Sequence, residues 1–194
     1  LSHRGLSSRA RRTVMVGDAV PTVLIAIPTF KRPLQLSLLM QSMPDQRAQA
    51  EAELGISTVL LIVDNDPDQS ARETAAEFGA LYKPEPERGL AAVRNAALSA
   101  ASDADALVFI DDDEVPDDAW LTTLVKRWLR GDAEFVSGRV VSTFSEPLDP
   151  WIQAGGFFRR VEFTDDASMR FAATNNLLID MAFVTAHDLR FDPD

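Results

Sequence analysis

The sequence predicts an α/β fold, a Rossmann-like, mostly parallel sheet flanked by helices. Three observations carry this. Short β-branched apolar runs recur along the chain, helical stretches separate them, and polar, charge-rich loops follow the strands. Strand, loop and helix alternate four times with no internal repeat, the pattern of parallel strands joined by crossover helices. Such sheets collect ligands outside the carboxyl ends of their strands.

"TVLIAI" (Thr22 to Ile27) reads as a fully buried first strand, and "PTFKRP" as its exit loop. Pro33 is suited to the first turn of a helix with apolar positions Leu34, Leu38, Leu39 and Met43, and Pro44 is expected to end it. "ISTVLLIV" (Ile56 to Val63) is the second strand and runs into "DNDPDQS". A helix from Asp68 to Phe78 closes at Gly79, and "ALYK" gives a short third strand. After the turn "PEPERG" comes the Ala-rich helix "LAAVRNAALSAA", then the fourth strand "ALVFI" (Ala106 to Ile110). "DDAWLTTLVKRWLR" places Trp120, Leu121, Leu124, Val125 and Trp128 at helical spacing, so both tryptophans are expected in the core, and Gly131 stops the helix. "EFVSGRVVSTF" alternates as a longer strand, an irregular stretch follows, and "FAATNNLLID" reads as a strand and turn.

With 194 residues, 46% hydrophobic and 25% charged, the chain is long enough for one domain with a substantial core. Residues 1–20 read as a basic, poorly ordered tail carrying Arg4, Arg9, Arg11 and Arg12, and residues 21–194 as the folded domain. A start at Leu1 and a stop at Asp194 suggest a fragment, truncated at its C-terminus. The net charge of −11 argues against a nucleic-acid partner held through phosphates. Absence of cysteine fits a reducing compartment, and the apolar runs are too short to span a bilayer, so the expected location is cytoplasmic.

The loops after strands one, two and four hold Thr29 to Arg32, Asp64 to Asp66 and Asp111 to Glu114. "VFIDDDEVPDDAW" loads four acids in a row onto the end of a buried strand, an arrangement that costs stability unless something positive completes it. Asp113 at a rigid strand end suits a hard divalent cation that takes its remaining oxygens from water and phosphates. Asp111, two residues earlier, lies on the same side in extended geometry. Asp64 is placed to accept from a base or ribose, Asp66 and Asp68 to shape an Asx turn and cap the next helix, and Asp117 to cap the helix after the acidic row. Gly89 frees the backbone before Arg94 and Asn95, so Arg94 is expected to reach toward an anion.

The blocks "IPTFKRP", "IVDNDPD", "EPERGLAAVRNAAL", "FIDDDEVPDDAWL" and "AATNNLLID" resemble, in order and spacing, the inverting glycosyltransferase family 2, with its nucleotide-sugar-binding GT-A fold. Bacterial exopolysaccharide glucosyltransferases of the succinoglycan type look most similar, and the likeness covers roughly Thr22 to Asp194. The resemblance implies that Pro28, Thr29 and Arg32 line the nucleotide pocket, that Asp64 contacts uracil, and that Arg94 lies against the uracil or diphosphate. "DDD" resembles the family's DxD motif, with Asp111 toward the ribose, Asp112 within the nucleotide-sugar site and Asp113 on Mg²⁺ or Mn²⁺. Asn175 and Asn176 would border the donor sugar and acceptor. The implied partners are a UDP-sugar donor and a glycan or lipid-linked glycan acceptor.

The family's base usually lies in an acidic pair soon after a segment like "LRFDPD", so it is expected beyond Asp194. Asp165 and Asp166 are the alternative within the chain, and His187 reads as a surface helix-end residue. "DPWIQAGGFFRR" joins Trp151, Ile152, Phe157 and Phe158 to two glycines and two arginines, which suits a lid, a peripheral membrane contact or packing of a small subdomain. Two rival readings stand beside the transferase. One is a phosphotransfer domain using Lys31 or Lys83, and the other a non-catalytic acidic metal-binding module.

Overall fold

The computed structural model describes residues 19–144, 146–158 and 164–193, so the expected tail lies, through residue 18, outside the described residues. The described residues form a six-stranded sheet in the order β3-β2-β1-β4-β6-β5. Its strands are β1 (Thr22–Thr29), β2 (Ser57–Asp64), β3 (Leu81–Pro84), β4 (Ala106–Ile110), β5 (Phe135–Ser137) and β6 (Asn176–Asp180). The first four are parallel, and β6 runs antiparallel to both β4 and β5.

Every residue from Val23 to Ile27 is buried, because the sheet is covered on both faces. Successive side chains of β1 therefore serve two cores. Val23, Ile25 and Ile27 pack with Leu36, Met40 and Met43 of α1 (Pro33–Leu54) and with Leu121, Val125 and Trp128 of α4 (Trp120–Trp128). Leu24 and Ala26 face the other way, onto Val93 and Ala97 of α3 (Leu90–Ala100) and Met181 and Val184 of α6 (Met181–His187). Burial of each such Leu or Ile contributes about 1.5–3 kcal/mol. Both tryptophans belong to the first core, as the helical spacing predicts.

Three local expectations are corrected. Pro44 does not end α1, which continues to Leu54 and closes at Gly55 with φ 63°. Met43 and Gln46, on either side of the proline, lie on one buried face with Leu36, Leu39, Met40 and Ala50. Gln46 also donates to the Asp117 carbonyl at 2.7 Å and accepts from the Leu121 N–H at 3.2 Å. Packing of both halves outweighs the roughly 3 kcal/mol cost of an interior proline. Leu34 and Leu38 point to solvent instead.

The second helix, α2 (Arg72–Glu77), begins four residues later than expected. Asp68 does not cap it; the segment before it is a turn in which Asp66 Oδ1 accepts from the Asp68 N–H at 3.1 Å. Likewise β5 is three residues long rather than a long alternating strand. A side chain at Gly138 would collide with the Asn176 amide, and that amide donates to the Arg139 carbonyl, so the chain leaves the sheet there. The excursion from Gly138 to Asn175 includes α5 (Pro150–Gly155) and returns to the edge it left. Among the described residues no helix is long and apolar enough to cross a membrane.

Candidate functional site at the carboxyl edge of the sheet

Register brings the flagged residues to one rim. Thr29 lies beside Asp64 in the β1–β2 pair, and Ile110 lies opposite Asn176 in the β4–β6 pair, so Asp111 to Glu114 and Asn175 leave the sheet on the same edge. The rim then divides into residues turned inward and residues left available.

Four predicted ligand residues are turned inward. Asp64 is fully buried, and its carboxylate accepts from the N–H groups of Asp66 (2.9 Å) and Ala71 (3.0 Å) and from the Tyr82 hydroxyl (2.9 Å). It ties the loop to the start of α2, where the sequence expectation was a uracil contact. Thr29 donates through Oγ1 to Asp112 Oδ2 at 2.6 Å, and Arg32 Nη1 lies 3.2 Å from Asp112 Oδ1. With Asp112 only 4% and Thr29 only 5% exposed, this pair fastens β1 to β4. Asn176 accepts from Trp120 Nε1 at 2.9 Å and donates to the Arg139 carbonyl at 3.0 Å, so both ends of its amide serve the fold.

The available groups are Pro28, half-buried at the end of β1, and Arg32, Arg94, Asp111, Asp113 and Asn175. Asp113 is half exposed and accepts from Arg32 Nη1 at 2.6 Å. Coulombic attraction to Asp112 and then Asp113 holds the Arg32 guanidinium above its ordinary pKa. Burial pushes the Asp111 carboxyl above its ordinary range, opposed by Arg94 and reinforced by Asp113, Glu114 and Asp112. Asp112 is likewise raised, by burial first, against its bonds to Thr29 and Arg32. The Arg94 guanidinium is lowered by burial, with Asp111 acting in the opposite sense, and its Nε is buried with no hydrogen-bond partner. Asn175 donates to Glu114 Oε1 at 2.6 Å, while its own Oδ1 is buried without a partner.

This donor set fits a divalent cation in one particular way. Among the described residues no three carboxylate or histidine groups converge into a cage. An exposed Asp113 beside the crowded negative charge of Asp111 suits Mg²⁺ or Mn²⁺ held by one or two carboxylates and completed by water and phosphate oxygens.

Sequence reading missed three residues here. Phe30, 38% exposed on the β1 exit loop, has the Arg88 guanidinium 5.3 Å and Lys31 Nζ 5.7 Å from its ring centre. Arg88 sits on a turn held by Asn65, whose amide donates to the Glu85 and Glu87 carbonyls (2.7 and 2.6 Å) and accepts from the Gly89 N–H (3.1 Å). An aromatic between two prolines and beside two cations in "PTFKRP" was the available signal for Phe30; nothing local marks Asn65 or Arg88.

Other expectations resolve by position. Asp166 is engaged by Arg127 and by Arg130 at 2.8 Å, and these bonds hold its carboxyl below the usual range. Arg127 is in the last turn of α4 and Arg130 just beyond it, and α4 runs back from the rim, so Asp166 is held toward the opposite edge. Asp165 is exposed beside it, and His187 is an exposed helix-end residue. Lys31 lies 3.8 Å from both Asp66 and Asp68. Lys83 is on β3, three strands and about 14 Å from the acidic row, so it does not complete a phosphotransfer site. In the excursion, Trp151, Phe157 and Phe158 are exposed, with Trp151 against Phe157 at 6.0 Å; Arg159 and Arg160 lie outside the described residues.

Comparison with known proteins agrees with this geometry. The chain is 27% identical over 161 residues to the "Succinoglycan biosynthesis protein ExoM" of Rhizobium meliloti (strain 1021), across 80% of this chain and 50% of that protein. Among solved structures it resembles S. aureus TarS 1-349 in complex with UDP (TM-score 0.63, 14% identity, 89% of this chain and 50% of that one). It also resembles the mannosyltransferase PcManGT from Pyrobaculum calidifontis in complex with GDP-Man and Mn²⁺ (TM-score 0.63, 20% identity, 91% and 49%). The chain thus spans about half the length of these relatives. Their likeness shows the fold to be the GT-A type. With residues 24–185 matching the family described as "Glycosyl transferase family 2", the chain belongs to that family of glycosyltransferases.

Proposed function

We propose that the chain forms the nucleotide-sugar site of an inverting glycosyltransferase that moves a sugar from a UDP-sugar to a glycan or lipid-linked glycan in exopolysaccharide biosynthesis. One observation carries the reading. The rim holds an exposed carboxylate, Asp113, paired with Arg32, next to Asp111, which faces the charge of Arg94, and Arg94 has a buried, unpartnered Nε. A nucleoside diphosphate with a divalent cation supplies what both sides of that arrangement need. The relatives with UDP, or with GDP-Man and Mn²⁺, support the same class of ligand.

In this reading each group has a distinct task. Phe30 offers a flat face for a base, and Arg88 and Lys31 surround it with positive charge. Arg32 and Arg94 approach the diphosphate and offset its charge as the sugar departs. Bound through Asp113, Mg²⁺ or Mn²⁺ supplies Lewis-acid neutralisation of the leaving diphosphate. Asn175 borders the sugar through an amide already oriented by Glu114. Inversion needs a base on the far side of the sugar to take the acceptor's proton; we place it in an acidic group following "LRFDPD" rather than at Asp166. The exposed aromatics Trp151, Phe157 and Phe158 suit an apolar acceptor or the cytoplasmic membrane surface beside the rim.

Thermal unfolding with a panel of nucleotide-diphosphate sugars tests the proposal. UDP-sugars with Mn²⁺ raise the melting temperature, and chelation removes the rise. No shift with any nucleotide or metal would overturn it.

A further inference from the structure

One side chain fastens the C-terminal end of the described chain to α3. Asn95 Nδ2 donates to the Phe191 carbonyl at 2.9 Å, and Asn95 Oδ1 accepts from the Phe191 N–H at 2.8 Å. The amide thus makes a two-point fork on the backbone of one residue, which fixes rotation as well as position. Only Asn has this reach with both a donor and an acceptor; Asp lacks the donor. The held residue then presents its ring. Phe191 meets Phe109 edge-on, with centres 5.9 Å apart and planes at 87°, and the Arg94 guanidinium lies 5.7 Å from its centre. A buried Arg94 Nε with no hydrogen-bond partner leaves the aromatic face as a main means of placing this cation.

We propose that Phe191, clamped by Asn95, is a positioning residue for Arg94, whose guanidinium its ring holds at the rim so that it meets an incoming nucleoside diphosphate already oriented. The role rests on the nucleotide-binding reading of the rim. Residues 96 positions apart in sequence thereby act on one ligand contact.

The test is UDP affinity in Mn²⁺, by titration calorimetry on the full protein, for Phe191→Leu, Phe191→Tyr, Arg94→Ala and the Phe191→Leu/Arg94→Ala double variant. Leucine keeps the apolar packing and removes the π-face; tyrosine keeps the face. Phe191→Leu weakens UDP by about 3–5-fold and Phe191→Tyr restores it to within about twofold, a range consistent with a cation–π contact. In the Arg94→Ala background Phe191→Leu has no further effect. Asn95→Asp, which loses the donor to the Phe191 carbonyl, weakens UDP in the same direction. If Phe191→Leu leaves UDP affinity intact, or weakens it equally with and without Arg94, the positioning role is wrong although the rim binds nucleotide. If the unsubstituted protein binds no UDP, the reading of the rim falls first and takes the role with it.

Discussion

Thr29 Oγ1 donates to Asp112 Oδ2 at 2.6 Å, joining the ends of β1 and β4 across 83 residues of sequence. The bond explains how three consecutive aspartates coexist. One is turned inward and satisfied by a hydroxyl and a guanidinium, which leaves its neighbours for other work. Thr29→Val removes the hydroxyl at constant shape and leaves a buried carboxylate short of one bond. Chemical denaturation should show a loss of about 1.5–3 kcal/mol, the range for hydrogen bonds to charged groups, with Thr29→Ser close to the parent.

Tyr82 sits over the buried Asp64, and burial followed by its bond to that carboxylate pushes the phenol up to about 12. The unfolded phenol titrates near its ordinary value of 10.0. Between those values the folded chain keeps a proton that the unfolded chain has lost, so the stability this group contributes is present below pH 10 and disappears as pH rises toward 12. Tyr82→Phe should flatten that alkaline decline, followed by urea unfolding between pH 9 and 12.

Pro44 interrupts the hydrogen bonding of α1 without ending it, and it is exposed. Pro44→Ala should restore an N–H and raise stability by roughly 1–2 kcal/mol, the helix-propensity gain reduced by the greater freedom of the unfolded chain. A decrease in the denaturation midpoint would mean that the proline is needed for Met43 and Gln46 to reach the core.

Asp166 is held by Arg127 and Arg130 away from the rim. Asp166→Asn should leave UDP affinity and sugar transfer within about twofold of the parent. A loss of turnover with binding intact would return Asp166 to consideration as the base.

The fold was legible because each parallel strand is a short unbroken apolar run between polar loops, a pattern only a sheet covered on both faces satisfies. The end of α1 was not, since Pro44 is outweighed by Gln46 and Ala50, whose burial depends on α4 and the sheet. Within the site the sequence placed the right segments on the right edge. It gave the cation to Asp113 but could not show that Asp112, its neighbour of the same residue type, turns inward to Thr29. The inward bonds of Asp64 and Asn176 were not legible for the same reason: their partners, Tyr82 and Trp120, are 18 and 56 residues away. Nor does any local pattern reveal that Asn65 holds the turn carrying Arg88.

The central claim is that Asp113, rather than its buried neighbour, recruits a cation for a diphosphate at this rim. Calorimetric titration of UDP into the protein and into Asp113→Asn, each with and without Mn²⁺, tests it most directly. The account predicts that Mn²⁺ tightens UDP binding at least tenfold in the parent, and that Asp113→Asn removes this dependence while the apo protein unfolds within about 0.5 kcal/mol of the parent, as for an exposed site. Equal Mn²⁺ dependence in both proteins would contradict it.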